Sequence, residues 1–387
     1  MDIRISVVLP CLNERETIAT CIKKSLQTLE KMEISSEVVV ADNGSTDGSV
    51  EIATSLGARV VHEKRMGYGN AYRAGIAAAK GKYIVIADSD DSYDLTDLER
   101  FVKPLEDGAD MVMGTRMRGR IEKGAMPWHH RYIGNPVLTG ILNLMFHARV
   151  SDAHCGMRSF TKDAYEKMEL QTTGMEFASE MVIKAAQLGL NIKEIPITLY
   201  RDGRNRPPHL RSFRDGWRHL RFMLLHSQTH LFFIPGFTLL LLGMAVLIGL
   251  LPGPITIAHM VFDRMVMVIA SMLAILGFQI INIGAFAKIY AVTHFFSPHT
   301  ANVKRAFKLF NLERGLLVGT MTSVVGFGGI LYCFIKWLGG YHGRIDLLRI
   351  AIFFSTFMII GAQAIFSSFF LSMLGIERRP NKKMEMM

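Results

Sequence analysis

In residues 82–91, KYIVIADSDD, a run of apolar residues ends directly in a cluster of aspartates. Three earlier runs have the same continuous apolar character: ISVVLP (5–10), EVVVAD (37–42) and ARVVHE (58–63). Such runs are typical of strands buried on both faces of a sheet. Stretches with helical character separate them, at residues 14–32, 46–57 and 68–81. The alternation predicts an α/β fold with a largely parallel sheet over about the first 200 residues.

Polar or glycine-rich segments follow all four predicted strands. Because ligands of such sheets bind beyond the carboxyl ends of the strands, we expect these segments to form one site. Any single segment is explained equally well as a surface turn, since Asp, Asn and Gly are good turn formers. Four of them at successive strand ends favour a site. The segments are PCLNE (10–14), DNGSTDG (42–48), RMGYG (65–69) and DSDD (88–91).

The DSDD segment is the most informative of the four. Three carboxylates within four residues repel one another unless a cation or hydrogen-bond donors neutralise them. Mg²⁺ and Mn²⁺ prefer oxygen ligands and commonly bridge to substrate phosphates, so the segment predicts a divalent-cation site at Asp88, Asp90 and Asp91. The alternative, in which Asp94 or Thr96 caps the following helix, accounts for only one acid.

The glycine segment predicts a contact with a phosphorylated ligand. Gly67 and Gly69 precede a predicted helix, and their backbone amides are suited to a diphosphate at its N-terminus. The segment does not match the dinucleotide-binding fingerprint, because its spacing to Gly75 is wrong and it follows the third strand instead of the first. A dehydrogenase is therefore disfavoured.

The composition limits the class of protein further. Half of the 387 residues are hydrophobic and 20% are charged, which excludes a disordered chain and disfavours a simple soluble protein. The formal net charge of +10 fits nucleic acid, phosphorylated ligands or an anionic membrane surface. Nucleic acid is disfavoured, because the basic residues concentrate beside apolar runs and no nucleic-acid-binding motif is recognisable. Four scattered cysteines indicate a reducing compartment.

Four long uncharged runs follow residue 230 and predict a membrane domain. Each is close to the ~20 residues that a helix needs to cross the hydrocarbon core. Buried core helices are the minority alternative. The predicted organisation is a soluble domain at 1–205, a juxtamembrane helix at 206–229, a membrane domain at 230–376 with spans at 231–251, 265–287, 315–335 and 350–374, and a tail at 377–387.

Lysine and arginine are distributed unequally between the two sides of these spans. From residue 201 onwards, sixteen lie between residue 201 and the first span, between the second and third spans, or in the tail, against four on the opposite side. Because the richer side faces the cytoplasm, we expect the soluble domain and both termini there. The first residues, MDIRISVVLP, lack the pattern of a signal peptide, so we expect a multi-pass protein of the cytoplasmic membrane.

Two segments have the pattern of helices that lie on a membrane surface. Within residues 208–227 an apolar stripe that includes Trp217 runs beside a basic stripe that includes Arg218. The alternative is a positive cluster that only sets the topology, and both can hold. Residues 131–146 are a second candidate, although core packing explains their pattern nearly as well.

Taken together, the motifs resemble those of family 2 glycosyltransferases with the GT-A fold. The shared features are VxxPxxNE at 7–14, the aspartate that ends the second strand, GYGxA at 67–71 and the DxD-type strand end. Further segments are similar to polyprenyl-phosphate (dolichyl-phosphate type) glycosyltransferases, over residues 4–230 in all. They are GTRM (114–117), RYIGN (131–135), DAHCGMRSF (152–160), GMEFASEM (174–181) and DGRNRPPHLRSFRDGWRHLRFML (202–224). The resemblance implies a GT-A-type catalytic domain followed by four transmembrane helices.

The resemblance also assigns roles to residues. It implies nucleotide contacts by Pro10, Asn13, Glu14 and Asp42, to which Gly67 and Gly69 are added as phosphate contacts. Asp88 and Asp90 would hold the metal and the donor diphosphate. Arg116 and Arg131 would receive the lipid phosphate, together with Asn135, Arg204 and Arg206, which stand where the family has other polar or basic residues. Asp152 would complete the catalytic set by orienting the acceptor or a sugar hydroxyl, with an ion pair to Arg158 as an equal alternative.

The predicted function is the inverting transfer of a hexose from a nucleoside diphosphate sugar to polyprenyl phosphate, with Mg²⁺ or Mn²⁺ as cofactor. The resemblance favours UDP-glucose, and GDP-mannose stays open. A processive polysaccharide synthase is disfavoured because QxxRW is absent, and a non-catalytic scaffold or lipid translocator because it has no need of clustered acids. The partners would be the donor, the lipid and the membrane. Glycine-rich spans such as 326–329 would also allow a second copy of the chain to pack.

Overall fold

The computed structural model describes residues 3–204, 212–293, 312–340 and 345–374. The chain divides into two compact units, Met1–Met223 and Leu224–Met387. Some predicted features lie outside the described residues. They are Arg206 of the acceptor set, the start of the juxtamembrane helix up to Arg211, the basic residues Lys304, Arg305, Lys308 and Arg344, and the tail at 377–387.

The first unit is built on a seven-stranded sheet. Its strands are β1 (Ile5–Cys11), β2 (Ser36–Asp42), β3 (Arg59–His62), β4 (Tyr83–Ile86), β5 (Met111–Ile121), β6 (Arg158–Thr161) and β7 (Ile192–Leu199). They lie in the order β3-β2-β1-β4-β6-β5-β7. Only β6 is antiparallel to its neighbours, β4 and β5, whereas the other described pairs of this sheet are parallel. The four strands predicted from sequence are β1 to β4.

Helices cover both faces of this sheet. They are α1 (Ile18–Lys31), α2 (Ser49–Ser55), α3 (Tyr68–Ala78), α4 (Leu98–Glu106), α5 (Asn135–Phe146), α6 (Lys162–Met168), α7 (Phe177–Gln187) and α8 (Ser212–His226). Val7 and Leu9 of β1 belong to a hydrophobic cluster with α1, α2 and α4, whereas Val8 belongs to a second cluster with α3 and α5 to α8. Burial on both faces explains the continuous apolar runs. The predicted fold class, an α/β GT-A-type domain with a largely parallel sheet, is confirmed.

The last helix of this unit turns polar residues inward and aromatic residues outward. Asp215, His219 and Met223 recur every four residues and are buried, whereas Phe213 and Trp217 are exposed. His219 Nδ1 lies 2.8 Å from the hydroxyl of Ser179 on α7, so the inward face is held by a polar contact. The location of this helix on a membrane surface stays a prediction, which the exposed aromatic stripe supports.

The second unit consists of long apolar helices and one short hairpin. The elements are α9 (Ile234–Leu250), the hairpin strands β8 (Ile255–Ile257) and β9 (Met260–Phe262), α10 (Arg264–Thr293), α11 (Leu312–Leu338) and α12 (Ile345–Leu374). Within the described ranges, four helical segments are long and apolar enough to cross a membrane: Thr229–Leu250, Arg264–Ala291, Leu312–Leu338 and Leu347–Leu374. The predicted region of four apolar helices is thereby confirmed.

Glycines bring these helices together in pairs. A Cβ atom on Gly243 of α9 would lie 2.5 Å from the carbonyl oxygen of Ala270 on α10. A Cβ on Gly326 of α11 would meet the backbone of Met358 on α12. A Cβ on Gly329 of α11 would meet the ring of Phe354, also on α12. Small residues allow such close backbone approach between apolar helices. Both of these α11 glycines thus serve packing within the chain, and a homo-oligomer stays a prediction.

Candidate active site

The segments that follow β1 and β2 bind each other at one edge of the sheet. Asn13, in a left-handed conformation with φ 58°, accepts a hydrogen bond at Oδ1 from the amide of Thr46 at 2.8 Å. The amides of Asn13 and Glu14 donate to the hydroxyls of Ser45 and Ser49 at 3.0 and 2.9 Å. The polar side chains that were predicted to contact a nucleotide therefore lie close together at the carboxyl ends of parallel strands.

The segments after β3 and β4 join the same edge. The amide of Gly67 donates to Asn43 Oδ1 at 2.7 Å, and the hydroxyl of Ser89 donates to the carbonyl of Pro10. A Cβ on Gly69 would lie 2.5 Å from the carbonyl oxygen of Thr172, so glycine is required there by the neighbouring backbone. All four predicted segments thus meet at one rim. Their contacts with a nucleotide stay predictions.

Asp42, which ends β2, is held by the turn that follows it and by the adjacent strand. Its Oδ1 accepts from the amide of Ser45 at 2.9 Å, and its Oδ2 accepts from the amide of Gly44 at 3.3 Å. His62, its register partner on β3, places Nδ1 3.0 Å from Oδ2. Burial raises the pKa of Asp42, but the hydrogen bonds from Ser45, His62 and Gly44 outweigh it and lower the pKa below the usual value.

Asp88, the first acid after β4, is held by two tyrosines that precede it in the chain. The hydroxyls of Tyr68 and Tyr72 donate to its Oδ1 at 2.9 and 3.2 Å. Burial and, next, the charge of Asp90 raise the pKa of Asp88 to about 6, although the two hydroxyls act in the opposite direction. Its carboxylate is costly to keep charged near neutral pH, and a bound cation would relieve that cost.

Asp90 shares an arginine with Glu14 of the first strand end. Arg204 donates to Asp90 Oδ2 at 2.8 Å, to Glu14 Oε1 at 3.0 Å and to Asp202 at 3.2 Å. Among the described residues its buried Nε has no hydrogen-bond partner. Arg204 was predicted to bind the acceptor phosphate. That role stays a prediction; in this structure the guanidinium is held by the carboxylates of Glu14, Asp90 and Asp202.

The third acid, Asp91, is directed away from the other two. Its φ of 60° is left-handed, and its carboxylate accepts from Lys24 Nζ of α1 at 2.7 Å. No group of three His, Cys, Asp or Glu side chains within the described ranges is arranged to hold a metal. The metal-ligand role of Asp91 stays a prediction, and its carboxylate is engaged by Lys24 in this structure. Asp94 caps the next helical turn through the amide of Thr96, as the capping alternative allowed, but this leaves Asp88 and Asp90 unexplained.

The remaining acids fit a divalent cation that arrives with its substrate. Asp88, Asp90 and Glu14 offer hard oxygen ligands of the kind that Mg²⁺ and Mn²⁺ prefer. Mg²⁺ in particular is commonly bound by one or two carboxylates and completes its shell with water and substrate phosphates. Arg204 already lies against two of these acids and neutralises part of their charge, so a cation would share the carboxylates with its guanidinium.

A second charged pair, Arg116 with Asp152, lies deeper in the unit. Nε and Nη2 of Arg116 donate to the two carboxylate oxygens of Asp152 at 2.7 and 2.8 Å, and its amide donates at 3.0 Å. The two side chains are 10% and 0% exposed. Burial raises the pKa of Asp152, but Arg116 outweighs it and lowers the pKa below its usual value. The prediction that Arg116 receives the lipid phosphate stays a prediction, and two of its side-chain donors are already used by Asp152.

The contacts of Arg158 test one of the two predicted roles of Asp152, the ion pair with Arg158. Arg158 is fully buried, and it donates to the carbonyl oxygens of Ala153, Cys155 and Ala178 at 2.7–2.8 Å. The predicted ion pair between Asp152 and Arg158 is therefore wrong. The role of Asp152 in orienting the acceptor or a sugar hydroxyl stays a prediction. Because its carboxylate binds Arg116, that role would act through Arg116.

Tyr93 and Gly156 connect this pair to the acids of the rim. The hydroxyl of Tyr93 accepts from the amide of Gly156 at 2.9 Å. A Cβ on Gly156 would collide with the carboxylate of Asp88, so the chain between Asp152 and β6 passes directly against Asp88. Asp88 at the rim and the buried Arg116–Asp152 pair are thus connected through this segment and form one candidate site.

An exposed aromatic and basic segment leads from the site to α5. Trp128, Tyr132 and Val137 are exposed, and the Arg131 guanidinium lies 5.4 Å from the centre of the Tyr132 ring. The helix that follows this segment contacts the loop of the buried pair, because the amide of Ala153, next to Asp152, donates to the hydroxyl of Thr139 on α5 at 3.3 Å. The side-chain amide of Asn135 donates from Nδ2 to the sulfur of Met126 at 3.6 Å. The acceptor roles of Arg131 and Asn135 stay predictions.

Several residues of the site were not predicted from the sequence. Tyr68 lies inside the glycine motif, and its hydroxyl could have been suspected of a role there. Tyr72, Tyr93, Lys24 and His62 carry no local signal, because their partners are distant in sequence or lie on a neighbouring strand.

Comparisons with known proteins agree with this architecture. Residues 6–169 match the family described as Glycosyl transferase family 2, and residues 285–375 match the Glycosyltransferase family 2 C-terminal transmembrane region. The low-salt glycan biosynthesis hexosyltransferase Agl6 of Haloferax volcanii is 39% identical over 377 residues, which cover 96% of this chain and 89% of that protein. A dolichyl-phosphate hexose transferase of the same organism is 33% identical over 196 residues, which cover 50% of this chain and 81% of that protein.

One similar solved structure is the glucosyl-3-phosphoglycerate synthase of Mycobacterium tuberculosis in complex with Mn²⁺, UDP and glucosyl-3-phosphoglycerate. It is 24% identical to this chain with a TM-score of 0.45, and the match covers 57% of this chain and 77% of that one. The similarity to Agl6 extends along nearly the whole of both chains, and the four apolar helices overlap the matched transmembrane region. The chain is thus a membrane-bound enzyme that belongs to the family 2 glycosyltransferases.

Proposed function

We propose that this enzyme transfers a hexose from a nucleoside diphosphate sugar, with UDP-glucose favoured, to polyprenyl phosphate. The product would be a polyprenyl-phosphate sugar for glycan assembly, with inversion at the anomeric carbon. The observation that carries the proposal is the continuity of two sites of different chemistry. Acids suited to a cation and a diphosphate adjoin the loop of the buried Arg116–Asp152 pair, and that loop contacts α5, which follows an exposed aromatic and basic segment.

The donor side would bind the nucleotide diphosphate and assist its departure. A divalent cation held by Asp88 and Asp90 would neutralise charge on the diphosphate as the bond to the sugar breaks. Arg204 adds a fixed positive charge at the same place, and its forked donors are suited to phosphate oxygens. Charge aimed at the leaving group stabilises the transition state more than the ground state.

The acceptor side needs orientation and charge screening and does not need a strong base. A phosphate monoester is already an oxyanion near neutral pH, so its oxygen attacks the anomeric carbon without losing a proton to the protein. Arg131 is exposed beside aromatic side chains, where it can meet a phosphate at a membrane surface. The Arg116–Asp152 pair would fix the backbone next to it as a positioning element.

Two further observations support a lipid acceptor. The relative named dolichyl-phosphate hexose transferase shares 33% identity with half of this chain. The catalytic unit also exposes Trp128, Tyr132 and Trp217, which belong to the residue types that concentrate at membrane interfaces. We propose that the unit rests on the cytoplasmic face of the membrane, with both ends of the chain on that side, because sixteen Lys and Arg residues lie there against four on the other side.

The test is product formation by membranes that contain the protein. Labelled UDP-glucose, UDP-N-acetylglucosamine and GDP-mannose are each supplied with undecaprenyl phosphate. We expect a mild-acid-labile glycolipid from UDP-glucose, which disappears when a chelator is added. Asp90→Asn should lower the rate by about a hundredfold or more, because it removes a charge needed in the transition state. The neighbouring Asp91→Asn, whose carboxylate is engaged by Lys24, should retain most of the activity.

The alternatives give different products. Glycolipid from GDP-mannose alone would replace UDP-glucose as the donor. A long polymer would indicate a processive synthase, and no product from any donor would indicate a scaffold or translocator. Equal losses in the Asp90 and Asp91 variants would contradict the assignment of the site.

A further inference from the structure

A polar side chain lies on the outer surface of α10, near the middle of this membrane helix. Gln279 belongs to the apolar segment Arg264–Ala291, and its side chain is exposed. At a rise of about 1.5 Å per residue, it lies roughly 2 Å from the centre of that segment along the helix axis. No hydrogen bond joins its carboxamide to another described residue of the chain. In a bilayer this side chain faces hydrocarbon, where an unbonded amide is costly.

Several other polar side chains of the membrane helices are satisfied within the chain. The hydroxyls of Thr238 on α9 and Thr322 on α11 donate to the carbonyl four residues earlier in the same helix, at 2.9 and 2.8 Å. Ser271 of α10 and Thr356 of α12 form a hydrogen bond of 2.7 Å between two helices. The carboxamide of Gln279 has two N–H donors and a carbonyl acceptor. Because hydrocarbon offers it neither, its partner has to come from another molecule.

Gln279 belongs to a continuous stripe of exposed side chains on α10. The members are spaced alternately four and three residues apart, which places them on one face of the helix. They are Met265, Ile269, Met272, Leu276, Gln279 and Ile283, and the apolar members are 42–79% exposed. A repeat of this kind, 3.5 residues on average, is the pattern along which two helices pack side by side in a left-handed supercoil.

The neighbouring helices of the chain pack against other faces of α10. A Cβ on Gly243 of α9 would lie 2.5 Å from the carbonyl oxygen of Ala270, and a Cβ on Gly277 would lie 2.4 Å from the amide nitrogen of Leu240 on α9. At about 100° per residue, the face that carries Ala270 and Gly277 lies roughly opposite to the stripe. The contact with α12 is made by a third face, which carries Ser271. The stripe itself is therefore turned away from both helices.

A second copy of the same chain fits this surface better than lipid does. A carboxamide has a positive N–H end and a negative carbonyl end, so two carboxamides in opposite orientation are complementary in charge and form two hydrogen bonds. A two-fold axis along the membrane normal brings the same residue of two copies face to face. Lipid tails offer neither donors nor acceptors. A single polar residue within an apolar heptad stripe is also a common means of fixing the register of two helices.

We propose that α10 pairs with α10 of a second copy of this chain along the stripe, and that the two Gln279 carboxamides hydrogen-bond to each other near the membrane centre. This pairing goes beyond the transfer reaction and does not depend on its donor or acceptor. The surface differs from the glycine-rich segment at 326–329, in which Gly326 and Gly329 already lie against α12.

The first experiment measures association of the purified full-length protein in phosphatidylcholine vesicles. Copies labelled with donor or acceptor dyes are mixed, and energy transfer is followed as the ratio of protein to lipid is lowered. For the unaltered protein we expect a dimer. Gln279→Leu should raise its dissociation constant about tenfold, the scale of an interhelical hydrogen bond in a membrane. Gln279→Asn, which keeps a carboxamide, should recover part of the loss. The matched control is Thr238→Val, whose hydroxyl is satisfied within its own helix and which should leave the constant unchanged.

A second measurement locates the interface without altering Gln279. Disulfide formation requires Cα atoms within about 7 Å of each other, so Met272→Cys should cross-link two copies on oxidation. Leu241→Cys, at an exposed position of α9, should not. Both variants are made with Cys333→Ala, because Cys333 is partly exposed whereas the other three cysteines are buried.

Each opposite result overturns a defined part of the proposal. A monomer at every ratio of protein to lipid would overturn the pairing and would leave Gln279 to water, lipid or a different membrane protein. Equal dissociation constants for the unaltered protein and Gln279→Leu would overturn the carboxamide contact. Cross-linking of Leu241→Cys and not of Met272→Cys would place the interface on another surface. Gln279→Leu should unfold at an unchanged temperature in excess detergent, where copies are separated, and a lower Tm there would show that Gln279 serves the fold of the single chain instead.

Discussion

Replacing Asp152 with asparagine should destabilise the catalytic unit strongly. Asp152 is 0% exposed and receives three hydrogen bonds from Arg116, which is itself only 10% exposed. Asp152→Asn keeps the shape but leaves the guanidinium buried without a countercharge. Removing one partner of a buried ion pair costs about 3–5 kcal/mol. For a unit of this size about 1 kcal/mol shifts Tm by roughly 2–4 °C, so we expect a decrease of about 6–20 °C.

A matched control lies on the surface of the same unit. Arg100 and Asp97 are joined at the same distance, 2.7 Å, but their side chains are 49% and 34% exposed. Exposed pairs of this kind contribute about 0–1 kcal/mol, so Asp97→Asn should lower Tm by less than about 4 °C. The two variants therefore differ in the burial of the pair, while the N–O distance is the same.

The assay is thermal unfolding of the purified full-length protein, followed by tryptophan fluorescence at one scan rate. A double variant, Arg116→Met with Asp152→Leu, should be less destabilised than Asp152→Asn, because it buries no unpaired charge. If Asp152→Asn lowered Tm no more than Asp97→Asn does, the energetic argument from burial would be refuted.

Three further expectations concern the glycine loop, the first acid and the aromatic segment. Gly69→Ala should weaken UDP binding by about tenfold or more and lower Tm, because its Cβ would lie 2.5 Å from the carbonyl oxygen of Thr172. Gly140→Ala is the control, because a Cβ there meets no atom within 4 Å, and it should change neither quantity. Equal effects of the two variants on UDP binding, measured by titration calorimetry, would contradict this. Burial and a neighbouring carboxylate raise the pKa of Asp88 to about 6, so the side chain is mostly charged at pH 7 and mostly neutral at pH 5. Because a metal ligand must be deprotonated, Mn²⁺-dependent UDP affinity should fall by about tenfold between pH 7 and pH 5. An affinity that does not change with pH would count against Asp88 as a ligand. Val137→Asp should raise KM for long-chain polyprenyl phosphate at least about fivefold while UDP binding changes little; an unchanged KM would remove this segment from the acceptor site.

The fold could be predicted where local pattern and burial agree. β1 and β4 are buried on both faces, so their apolar runs identify them without further information. β6 could not be predicted in this way. It is four residues long, antiparallel, and begins with Arg158, which is acceptable in the interior only because the carbonyl groups of Ala153, Cys155 and Ala178 accept its hydrogen bonds. No local apolar pattern reveals a strand whose first side chain is a buried arginine held in this way.

The site could be predicted as a collection of residues but not as a set of pairs. The three aspartates after β4 have similar sequence surroundings, yet they meet two tyrosines, an arginine and a lysine from three different parts of the chain. Asp91 differs because its left-handed backbone turns the side chain towards α1. Arg204 meets Asp90 across 114 residues. Residue types at strand ends therefore indicated the chemistry, whereas the partner of each acid depends on backbone conformation and on long-range contacts.

The glycines of the membrane unit divide its surface into positions that tolerate change and positions that do not. At Gly243 and Gly326 any larger residue would force two backbones apart. Leu241 and Val324, on the same two helices, are exposed, with 65% and 63% of their surface accessible. Outward positions of this kind can be exchanged among apolar residues to suit bilayers of different thickness or fluidity. An organism that remodels its lipids could thus adapt this enzyme by altering its rim of aliphatic side chains, while both helical hairpins keep their geometry.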